Sequence, residues 1–414
     1  MSTGTFPATV AVVGGGIAGF SAVRELRRRG YAGTLHLVDP SGLPYDRPPL
    51  SKAFLAGTLD RPRLELAPRH WYSDNGIDLI RDAALKLDAG SAVPVLTLGS
   101  GTQVSADAVL LATGARARRL PLPGMDLPGV LTLRSADDAL ALQARLRPGA
   151  HLVILGAGLV GAEAASTARG LGVEVTLVDP ALLPFERVVG ADMARYLHGL
   201  HAAHGTGWVR GRPEAISAGG GTGNLSVQLA GGARLLADAV LVSAGSEPET
   251  ALAEEAGLEV ADGVLVDECG RTSRPGIFAA GDSSRRRNSG GGPGRRYEHW
   301  DAARRSGEAA AAGILGDEPP AAAPDWFWSD RYGVHVEVAG SLAVPGQTVL
   351  RGEPGPGFMV FRLHPDGTLA GVAAVDGGTS VRAARRLIEA GRRIAPAVLE
   401  DPAADLRRVA RGRG

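Results

Sequence analysis

The chain begins with an apolar segment, a glycine-rich turn and a helical pattern. Residues 8–13 are mostly apolar, as in a buried strand, and the amphipathic pattern after the turn reaches Arg29. A second apolar segment covers residues 34–38 and ends at Asp39. The order of strand, glycine turn, helix and strand predicts a βαβ unit that binds a nucleotide.

The same order returns in the middle of the chain. An apolar segment at residues 151–155 leads into a second glycine-rich turn, and a helical pattern then reaches Gly170. Another apolar segment follows at residues 173–178 and ends beside Asp179. One glycine-rich turn alone is a weak signal, whereas two complete copies predict two dinucleotide-binding units.

Further apolar segments complete the predicted fold. Residues 108–112 and 239–244 have the pattern of buried strands, and after Asp325 short β-branched and aromatic strands precede an arginine-rich helix from about Thr379. The predicted class is α/β, with two Rossmann-like dinucleotide-binding domains plus a C-terminal α+β domain. The predicted segments are a first nucleotide-binding part (1–115), a second nucleotide-binding domain (116–240), a return to the first (241–322) and a C-terminal domain (323–414).

Composition and charge exclude several classes of partner. The 414 residues are 44% hydrophobic, and the 59 glycines and 27 prolines stay below the share that is typical of disordered chains. The 44 basic residues balance the 44 acidic residues, so no overall field attracts nucleic acid or an anionic membrane. We predict neither as a partner.

The cysteine content and the apolar runs limit the chemistry further. Cys269 is the only cysteine, which excludes an internal disulfide, a CxxC pair and a four-thiolate cluster, and no metal site is predicted. No apolar run approaches the length of a membrane span, and no secretory signal is apparent. We expect a cytoplasmic protein whose redox chemistry depends on a bound cofactor.

Each glycine-rich turn supplies the backbone that a dinucleotide needs. The first glycine of GxGxxG makes the tight turn, the second lets the pyrophosphate approach the backbone, and the third lets helix and strand pack. The phosphates then lie at the positive end of the helix. The residues predicted to bind in this way are Gly14, Gly16, Ala18 and Gly19 in the first turn and Gly156, Gly158, Val160 and Gly161 in the second.

A carboxylate follows the second strand of each unit. Asp39 and Asp179 lie near the expected distance of roughly 20 residues beyond their glycine turns. A carboxylate there accepts hydrogen bonds from a ribose diol and repels a 2′-phosphate. No arginine follows Asp179 directly, and Arg187, eight residues along, is a further candidate for the same site. We expect NADH rather than NADPH at the second motif.

Two dinucleotides in one chain imply that a hydride passes from a nicotinamide to a second redox ring, and FAD is the natural occupant of the first motif. Over nearly its whole length the chain resembles the FAD-dependent pyridine-nucleotide reductases, and within them the ferredoxin reductases of Rieske dioxygenase and bacterial cytochrome P450 systems. The motifs that carry the resemblance are GGGIAG (14–19), RPPLSK (47–52), ATG (112–114), GAGLVGAE (156–163), IFAAGD (277–282), EHW (298–300) and WFWSD (326–330). It implies an enzyme that passes electrons from NADH through FAD to a [2Fe-2S] ferredoxin, with FAD in the segments 1–115 and 241–322 and NADH in the segment 116–240.

The resemblance also implies roles for residues around the flavin. Asp282 would hold the ribityl chain, and Trp300 would lie beside the isoalloxazine ring, although an isolated tryptophan is more often a core residue. The further candidate cofactor-binding residues are Arg47, Ala84, Thr113, Gly114, Arg134 and Gly245.

Lys52 is one of two lysines in a chain whose basic residues are otherwise arginines, and we assign no role to the other, Lys86. The resemblance implies that Lys52 lies near the flavin N5 edge, paired with Glu163, and that both residues are catalytic. The compact ammonium would stabilise negative charge on the reduced flavin. The alternative is a surface ion pair that contributes roughly 0 to 1 kcal/mol.

The WFWSD segment predicts an aromatic strand. Trp326 and Trp328 alternate with Phe327, so both indole rings should lie on one face. The resemblance implies that this strand packs on the flavin side of the molecule, and core packing is the alternative. The chain departs from the usual pattern at Asp325 and Arg331.

Three neighbouring functions compete with that of a ferredoxin reductase. A thiol-dependent flavoprotein needs a cysteine near the flavin, whereas Ser41 precedes the GLPY segment here and Cys269 lies far along the chain. An NADH oxidoreductase like apoptosis-inducing factor is disfavoured because neither a targeting sequence nor a long basic C-terminal insertion is apparent. A rubredoxin reductase differs only in the carrier and stays open.

The ferredoxin partner is expected to dock transiently, because each ferredoxin takes one electron and the enzyme meets two of them for each NADH. It is expected to be acidic, as such carriers commonly are. On a chain without net charge, an acidic partner needs a local positive surface. Candidates are Arg304, Arg305, Arg331 and the arginines around the loop 288–294. The enzyme is expected to be a monomer or a homodimer.

Overall fold

The computed structural model describes residues 6–219 and 224–412. Two compact units account for the chain. The first unit comprises the residues up to Pro48, Arg61–Arg116 and Ser246–Ala322. The second unit comprises Pro49–Asp60, Ala117–Gly245 and the residues from Ala323 onward. Each unit contains one of the two glycine-rich turns.

A parallel five-stranded sheet forms the centre of the first unit. Its strands, in spatial order, are Ile277–Ala279, Ala108–Leu111, Thr9–Val13, Thr34–Val38 and Ile77–Ile80. The middle strand is buried except at its first residue, as expected when helices cover both faces of a parallel sheet.

Two helices pack closely against each other beside this sheet. They are Ile17–Arg28, which begins at the first glycine turn, and Trp300–Ile314. A Cβ atom added to Gly307 would lie 2.1 Å from the carbonyl oxygen of Ala18, so the backbones touch at this point. Only glycine at position 307 allows this approach, and the contact fixes the start of the helix that follows the turn.

Shorter elements complete the first unit. An antiparallel sheet contains Ala84–Asp88, Val95–Leu98 and Gln103–Ser105, and a parallel pair contains Val264–Val266 and Ser284–Arg286. The remaining elements of this unit are the helices Arg69–Asp74 and Ala251–Glu255, the 3-10 turns Pro62–Leu64 and Gly281–Ser283, and the strand Ser246–Pro248. The 3-10 turn Pro48–Ser51 and the strand Ala115–Ala117 each include a point where the chain passes from one unit to the other.

The second unit contains a parallel sheet of the same kind. Its strands, in spatial order, are Gly207–Arg210, Glu174–Asp179, His151–Leu155, Ala239–Val242 and Val130–Leu131. Next to it is an antiparallel sheet of Pro213–Ala218, Leu225–Leu229 and Arg234–Ala237. The helices of this part are Ala136–Gln143, Leu159–Gly170, Glu186–Val189 and Ala191–Ala203.

The C-terminal part of the second unit is an antiparallel sheet covered by helices. The strands, in spatial order, are Trp326–Arg331, Val334–Gly340, Leu369–Val375, Met359–Leu363 and Gln347–Arg351. The central strand Leu369–Val375 is buried along its whole length. The helices are Gly378–Glu389, Pro396–Glu400 and Leu406–Ala410.

The predicted fold class is confirmed by the two parallel five-stranded sheets and the C-terminal antiparallel sheet with its helices. The strand predicted at residues 173–178 is observed at Glu174–Asp179, because Asp179 continues the ladder opposite Arg210. The predicted domain boundaries stay a prediction. Within the described part of the chain, no helix combines the length and the apolar character that a membrane span requires.

Candidate functional site

The backbone of the first glycine turn packs so tightly that only glycine fits at positions 14 and 19. Gly14 has φ +106°, and a Cβ atom there would lie 2.2 Å from the carbonyl oxygen of Ala112. A Cβ atom on Gly19 would lie 2.0 Å from the carbonyl oxygen of Gly14. The turn therefore brings the start of the helix Ile17–Arg28 directly onto the end of the strand Thr9–Val13.

Asp39 lies at the carboxyl end of the neighbouring strand and is fixed by the turn. Its carboxylate accepts hydrogen bonds from the backbone N–H of Gly15 (2.6 Å) and of Ser41 (2.8 Å), and from the Ser41 hydroxyl. A carboxylate has about four acceptor positions, so capacity remains for a ribose hydroxyl.

Arg47 contributes positive charge to the same turn. A Cβ atom added to Gly16 would lie 2.8 Å from Nη1 of Arg47, so the guanidinium lies against the turn. A close backbone, an aspartate at the strand end and an arginine beside the helix N-terminus fit the pyrophosphate and ribose of FAD.

The second glycine turn repeats this construction. Gly156 has φ +111°, and its Cβ atom would lie 2.2 Å from the carbonyl oxygen of Ser243. A Cβ atom on Gly161 would lie 2.1 Å from the carbonyl oxygen of Gly156, whereas one on Gly158 would meet nothing within 4 Å. The open space at the middle glycine of the motif fits a pyrophosphate, which has to approach the backbone here.

Asp179 has the same relation to its turn as Asp39. Its carboxylate accepts hydrogen bonds from the backbone N–H of Ala157 (2.9 Å) and of Ala181 (2.8 Å). The two units thus hold equivalent carboxylates beside their glycine turns.

The other predicted cofactor residues of the first unit lie in different elements. Thr113 donates its hydroxyl to the carbonyl oxygen of Glu249 (2.6 Å), and Gly114 follows with φ +77°. Trp300 begins a helix and donates its indole N–H to Asp46 (2.8 Å). The remaining two, Asp282 and Ala84, lie in the 3-10 turn Gly281–Ser283 and at the start of the strand Ala84–Asp88.

The other predicted cofactor residues of the second unit are also spread over several elements. Arg134 precedes the helix Ala136–Gln143 and donates its backbone N–H to Asp138 (2.9 Å). Val160 lies in the first turn of the helix Leu159–Gly170, Arg187 lies in the short helix Glu186–Val189, and Gly245 has φ +97°. The cofactor-binding roles of all these residues stay predictions.

Lys52 and Glu163 form an ion pair. Lys52 Nζ lies 3.2 Å from Glu163 Oε1 and 3.4 Å from Asp330 Oδ2. Glu163 is only 1% exposed, and its carboxylate also accepts hydrogen bonds from the hydroxyls of Ser51 (2.5 Å) and Ser329 (2.8 Å). A surface ion pair is therefore the wrong description, because Glu163 is buried and hydrogen-bonded and Lys52 is half-buried.

Arg331 is a second cation of this cluster. It is 4% exposed, donates from Nη2 to the Ser329 hydroxyl (3.1 Å), and its guanidinium lies 5.6 Å from the ring centre of Phe185. Burial lowers the pKa of Arg331, and the charge of Glu163 opposes this shift. The sequence suggested Arg331 as a docking residue, but its burial excludes direct contact with a partner on the described surface.

The aromatic strand has the predicted arrangement. The rings of Trp326 and Trp328 lie on one face with centroids 5.1 Å apart, whereas Phe327 contacts Phe185 at 6.1 Å. Lys52 Nζ lies 5.7 Å from the ring centre of Trp328. The indole of Trp328 thus covers the lysine of the ion pair.

Ser51, Ser329 and Asp330 were not predicted as partners of the Lys52–Glu163 ion pair. All three belong to two of the motifs that carry the resemblance, RPPLSK and WFWSD, and this is the signal that could have identified them. Ser51 and Ser329 are 112 and 166 residues from Glu163, so no local pattern joins them.

Tyr332 ties the end of the aromatic strand to the helix Ala191–Ala203. Its hydroxyl lies 2.8 Å from His201 Nδ1 and 2.9 Å from the Thr206 hydroxyl, and its backbone N–H donates to Ser166 (2.6 Å). Burial is the largest effect that lowers the pKa of His201 to about 3, and the charge of Arg331 adds to it. His201 is therefore neutral at pH 7.

His201 makes the stability of the protein sensitive to acid. The pKa is about 6.5 in the unfolded chain and about 3 in the folded chain, so the stabilisation is complete above pH 6.5 and is lost as pH falls towards 3. At pH 5 the loss is about 2 kcal/mol. We expect the Tm of the wild type to fall more between pH 7 and pH 5 than the Tm of the His201→Gln variant; equal falls would contradict this assignment.

Most of the arginines suggested as a docking surface are paired with carboxylates. Arg304 donates to Asp301 (2.8 Å) and Glu308 (2.8 Å), and Arg305 lies 3.2 Å from Asp301. Around the loop 288–294 the pairs are Arg285 with Asp262, Arg286 with Glu268, Arg287 with Glu259, and Arg296 with Asp262 and Glu298. Their positive field is therefore weaker than the sequence suggested.

Comparison with known proteins agrees with this geometry. Residues 8–307 match the family described as pyridine nucleotide-disulphide oxidoreductase, and residues 326–410 match the family described as reductase C-terminal. The ferredoxin reductase for the CYP199A2 system from Rhodopseudomonas palustris has a TM-score of 0.92 and 34% identity over 97% of this chain and 100% of its own. The structure of the covalent putidaredoxin reductase–putidaredoxin complex has a TM-score of 0.90 and 28% identity over 97% of this chain and 98% of its own.

Curated relatives match along almost the whole chain. The ferredoxin–NAD(+) reductase subunit of the benzene 1,2-dioxygenase system of Pseudomonas putida is 38% identical over 405 residues, which are 97% of each chain. The corresponding component of the biphenyl dioxygenase system of Paraburkholderia xenovorans is 36% identical over 96% of this chain and 97% of its own. These matches imply FAD and NAD(H) as the cofactors. The chain therefore belongs to the pyridine nucleotide-disulphide oxidoreductase family and carries the reductase C-terminal domain.

Proposed function

We propose that the chain is a FAD-dependent NADH:ferredoxin reductase whose [2Fe-2S] ferredoxin feeds a Rieske dioxygenase or a cytochrome P450. The observation that carries this proposal is the pair of equivalent glycine turns, each with an aspartate bound to the turn. Relatives named as ferredoxin–NAD(+) reductase components of dioxygenase systems support ferredoxin as the carrier.

Residues of the first unit would hold FAD. The Gly14 turn and Arg47 would bind the pyrophosphate, Asp39 the adenosine ribose, and Asp282 the ribityl chain. FAD would supply the conversion between the two-electron chemistry of NADH and the one-electron chemistry of ferredoxin. The remaining candidates of the first unit are Ala18, Ala84, Thr113, Gly114 and Trp300. Arg134, which belongs to the second unit, stays a sequence prediction for the same cofactor.

The Gly156 turn would hold the pyrophosphate of NADH, and Asp179 would accept hydrogen bonds from the ribose diol. A fixed carboxylate at this point disfavours a 2′-phosphate by charge repulsion. The further candidates for this site are Val160, Arg187 and Gly245.

Lys52 would stabilise the negative charge that FAD gains on reduction, and Glu163 would hold Lys52 in position. The hydrogen bonds from Ser51 and Ser329 fix the Glu163 carboxylate, so the lysine has a rigid partner. Arg331 donates to the Ser329 hydroxyl, which in turn donates to Glu163, and its positive charge interacts with the charge of Glu163. Lys52 is therefore not the only cation near Glu163. Because Glu163 interacts with two cations, it does not fully neutralise Lys52, and this supports an action of the lysine charge on the cofactor.

The ferredoxin would be acidic and would dock transiently. Arg304 and Arg305 are poor probes of this docking because reversal of their charge would leave Asp301, which is 4% exposed, without a cation. The ionic strength of the assay is a better probe. The cytoplasmic location and the monomeric or homodimeric state stay predictions.

Steady-state assays of the purified holoenzyme test the function. We expect NADH to reduce a [2Fe-2S] ferredoxin with a kcat/KM at least about tenfold above that of NADPH, which corresponds to about 1.4 kcal/mol. Rising salt should weaken the reaction with ferredoxin more than the reaction with ferricyanide, because a small anion needs no docking. Equal kcat/KM for NADH and NADPH, or an absence of ferredoxin reduction, would contradict the proposal.

A rubredoxin reductase is the second candidate. The rubredoxin–NAD(+) reductase of Pseudomonas putida is 37% identical over 80% of this chain and 86% of its own. The same assay separates the two functions, because the true carrier should have the higher kcat/KM at equal ionic strength.

A further inference from the structure

An arginine, Arg210, lies beside the end of the strand Glu174–Asp179. The predicted preference for NADH did not take this cation into account. Arg210 ends the adjacent parallel strand Gly207–Arg210 and is the register partner of Asp179. The backbone N–H of Gly211 donates to the carbonyl oxygen of Asp179 (3.1 Å), which extends the pairing by one residue. The side chains of Asp179 and Arg210 therefore start from neighbouring positions at the same edge of the sheet.

The Arg210 side chain is held at this edge. Its Nε donates to the carbonyl oxygen of Pro180 (3.3 Å), the residue that follows Asp179. The residue is exposed, and this hydrogen bond uses one of the five N–H donors of a guanidinium. Arg210 can therefore present further donors to an anion at the strand end.

Asp179 is fixed at the same place with the opposite charge. Its two carboxylate oxygens accept the backbone N–H groups of Ala157 and Ala181, which orients the group towards the glycine turn. A carboxylate in this position repels a 2′-phosphate, whereas a guanidinium binds one through charge-assisted hydrogen bonds.

We propose that Arg210 and Asp179 together determine whether a phosphate is accepted at the 2′ position of the adenosine ribose. Asp179 excludes a 2′-phosphate, and Arg210 binds it once the carboxylate is removed. The inference rests on the proposed binding of NADH at this motif. Because Arg210 already supplies a cation for the 2′-phosphate, one substitution at Asp179 is sufficient for NADPH to bind.

Calorimetric titration of the holoenzyme with adenosine 2′,5′-bisphosphate and with 5′-AMP tests this proposal, since the two probes differ only in the 2′-phosphate. We expect Asp179→Ser to tighten binding of the bisphosphate about tenfold or more relative to the wild type. The double variant D179S/R210Q should lose most of this gain and keep only the part that comes from removing the repulsion by Asp179. The matched control D179S/R212Q, which removes an exposed arginine two residues away, should keep it.

Equal affinity of D179S and D179S/R210Q for the bisphosphate would overturn the role of Arg210. Failure of the wild-type holoenzyme to bind 5′-AMP would instead overturn the dinucleotide site itself, and with it the proposed function. Asp179→Asn keeps an acceptor for the Ala157 N–H group and replaces D179S in the same series if the serine variant loses FAD. The kcat/KM for NADPH should rise and fall with the affinity for the bisphosphate across the series.

Discussion

Replacement of Lys52 by methionine is expected to slow the reduction of bound FAD by NADH about a hundredfold while the enzyme retains its FAD. Methionine keeps an unbranched side chain of similar length but has no charge, so the stabilisation of the reduced flavin is lost. Glu163 keeps its hydrogen bonds from Ser51 and Ser329, and Arg331 still donates to Ser329, so the surroundings of Glu163 should stay folded. Stopped-flow absorbance of FAD at saturating NADH measures the rate.

The second lysine of the chain provides a matched control. Lys86 is exposed on the strand Ala84–Asp88, and Lys86→Met is the same chemical change at a position without a proposed role. We expect Lys86→Met to reduce FAD at the wild-type rate. A Lys52→Met enzyme that loses FAD, with the remaining holoenzyme as fast as the wild type, would show that Lys52 is structural.

Replacement of Gly19 by alanine is expected to abolish stable FAD binding. A Cβ atom at this position would lie 2.0 Å from the carbonyl oxygen of Gly14 and 3.2 Å from a methyl group of Val12. The helix must move away from the strand, which costs about 3 kcal/mol or more and lowers FAD affinity about a hundredfold. The FAD content of the purified protein, measured by absorbance, gives the result.

Two other glycines serve as controls for this prediction. Gly199→Ala lies in the helix Ala191–Ala203 with nothing within 4 Å of its Cβ position, so it should keep FAD and gain up to about 1 kcal/mol of stability. Gly161→Ala repeats the clash in the second turn at 2.1 Å, so it should keep FAD but lose reduction by NADH. Normal FAD content in Gly19→Ala would contradict the close packing of the first turn.

The two βαβ units could be predicted because their signals are local. Within about 30 residues the sequence contains a strand, a glycine turn, a helix and a second strand, so the position of Asp39 at a strand end follows from the pattern. The shared face of Trp326 and Trp328 follows in the same way from the two-residue period of a strand, and the ring distance of 5.1 Å confirms it.

The surroundings of Glu163 could not be predicted, because they depend on contacts between distant segments. Ser51 and Ser329 meet this carboxylate, and Arg331 meets Ser329, only after the second unit has folded, and no periodicity joins these residues. The positive surface around residues 288–294 was overestimated for a related reason. The fold brings Glu259, Asp262 and Glu268 to these arginines, and the sequence alone gives no sign of that pairing.

An anaerobic titration tests whether electrons pass from NADH through FAD to ferredoxin. The holoenzyme, with its FAD content measured, is mixed with a limiting amount of NADH and an excess of oxidised [2Fe-2S] ferredoxin, and the reduced ferredoxin is counted by absorbance. We expect one FAD per chain and two ferredoxins reduced for each NADH consumed, because NADH delivers two electrons and each cluster accepts one. Bleaching of FAD by NADH without reduction of ferredoxin, or reduction of ferredoxin by protein that lacks FAD, would contradict this expectation.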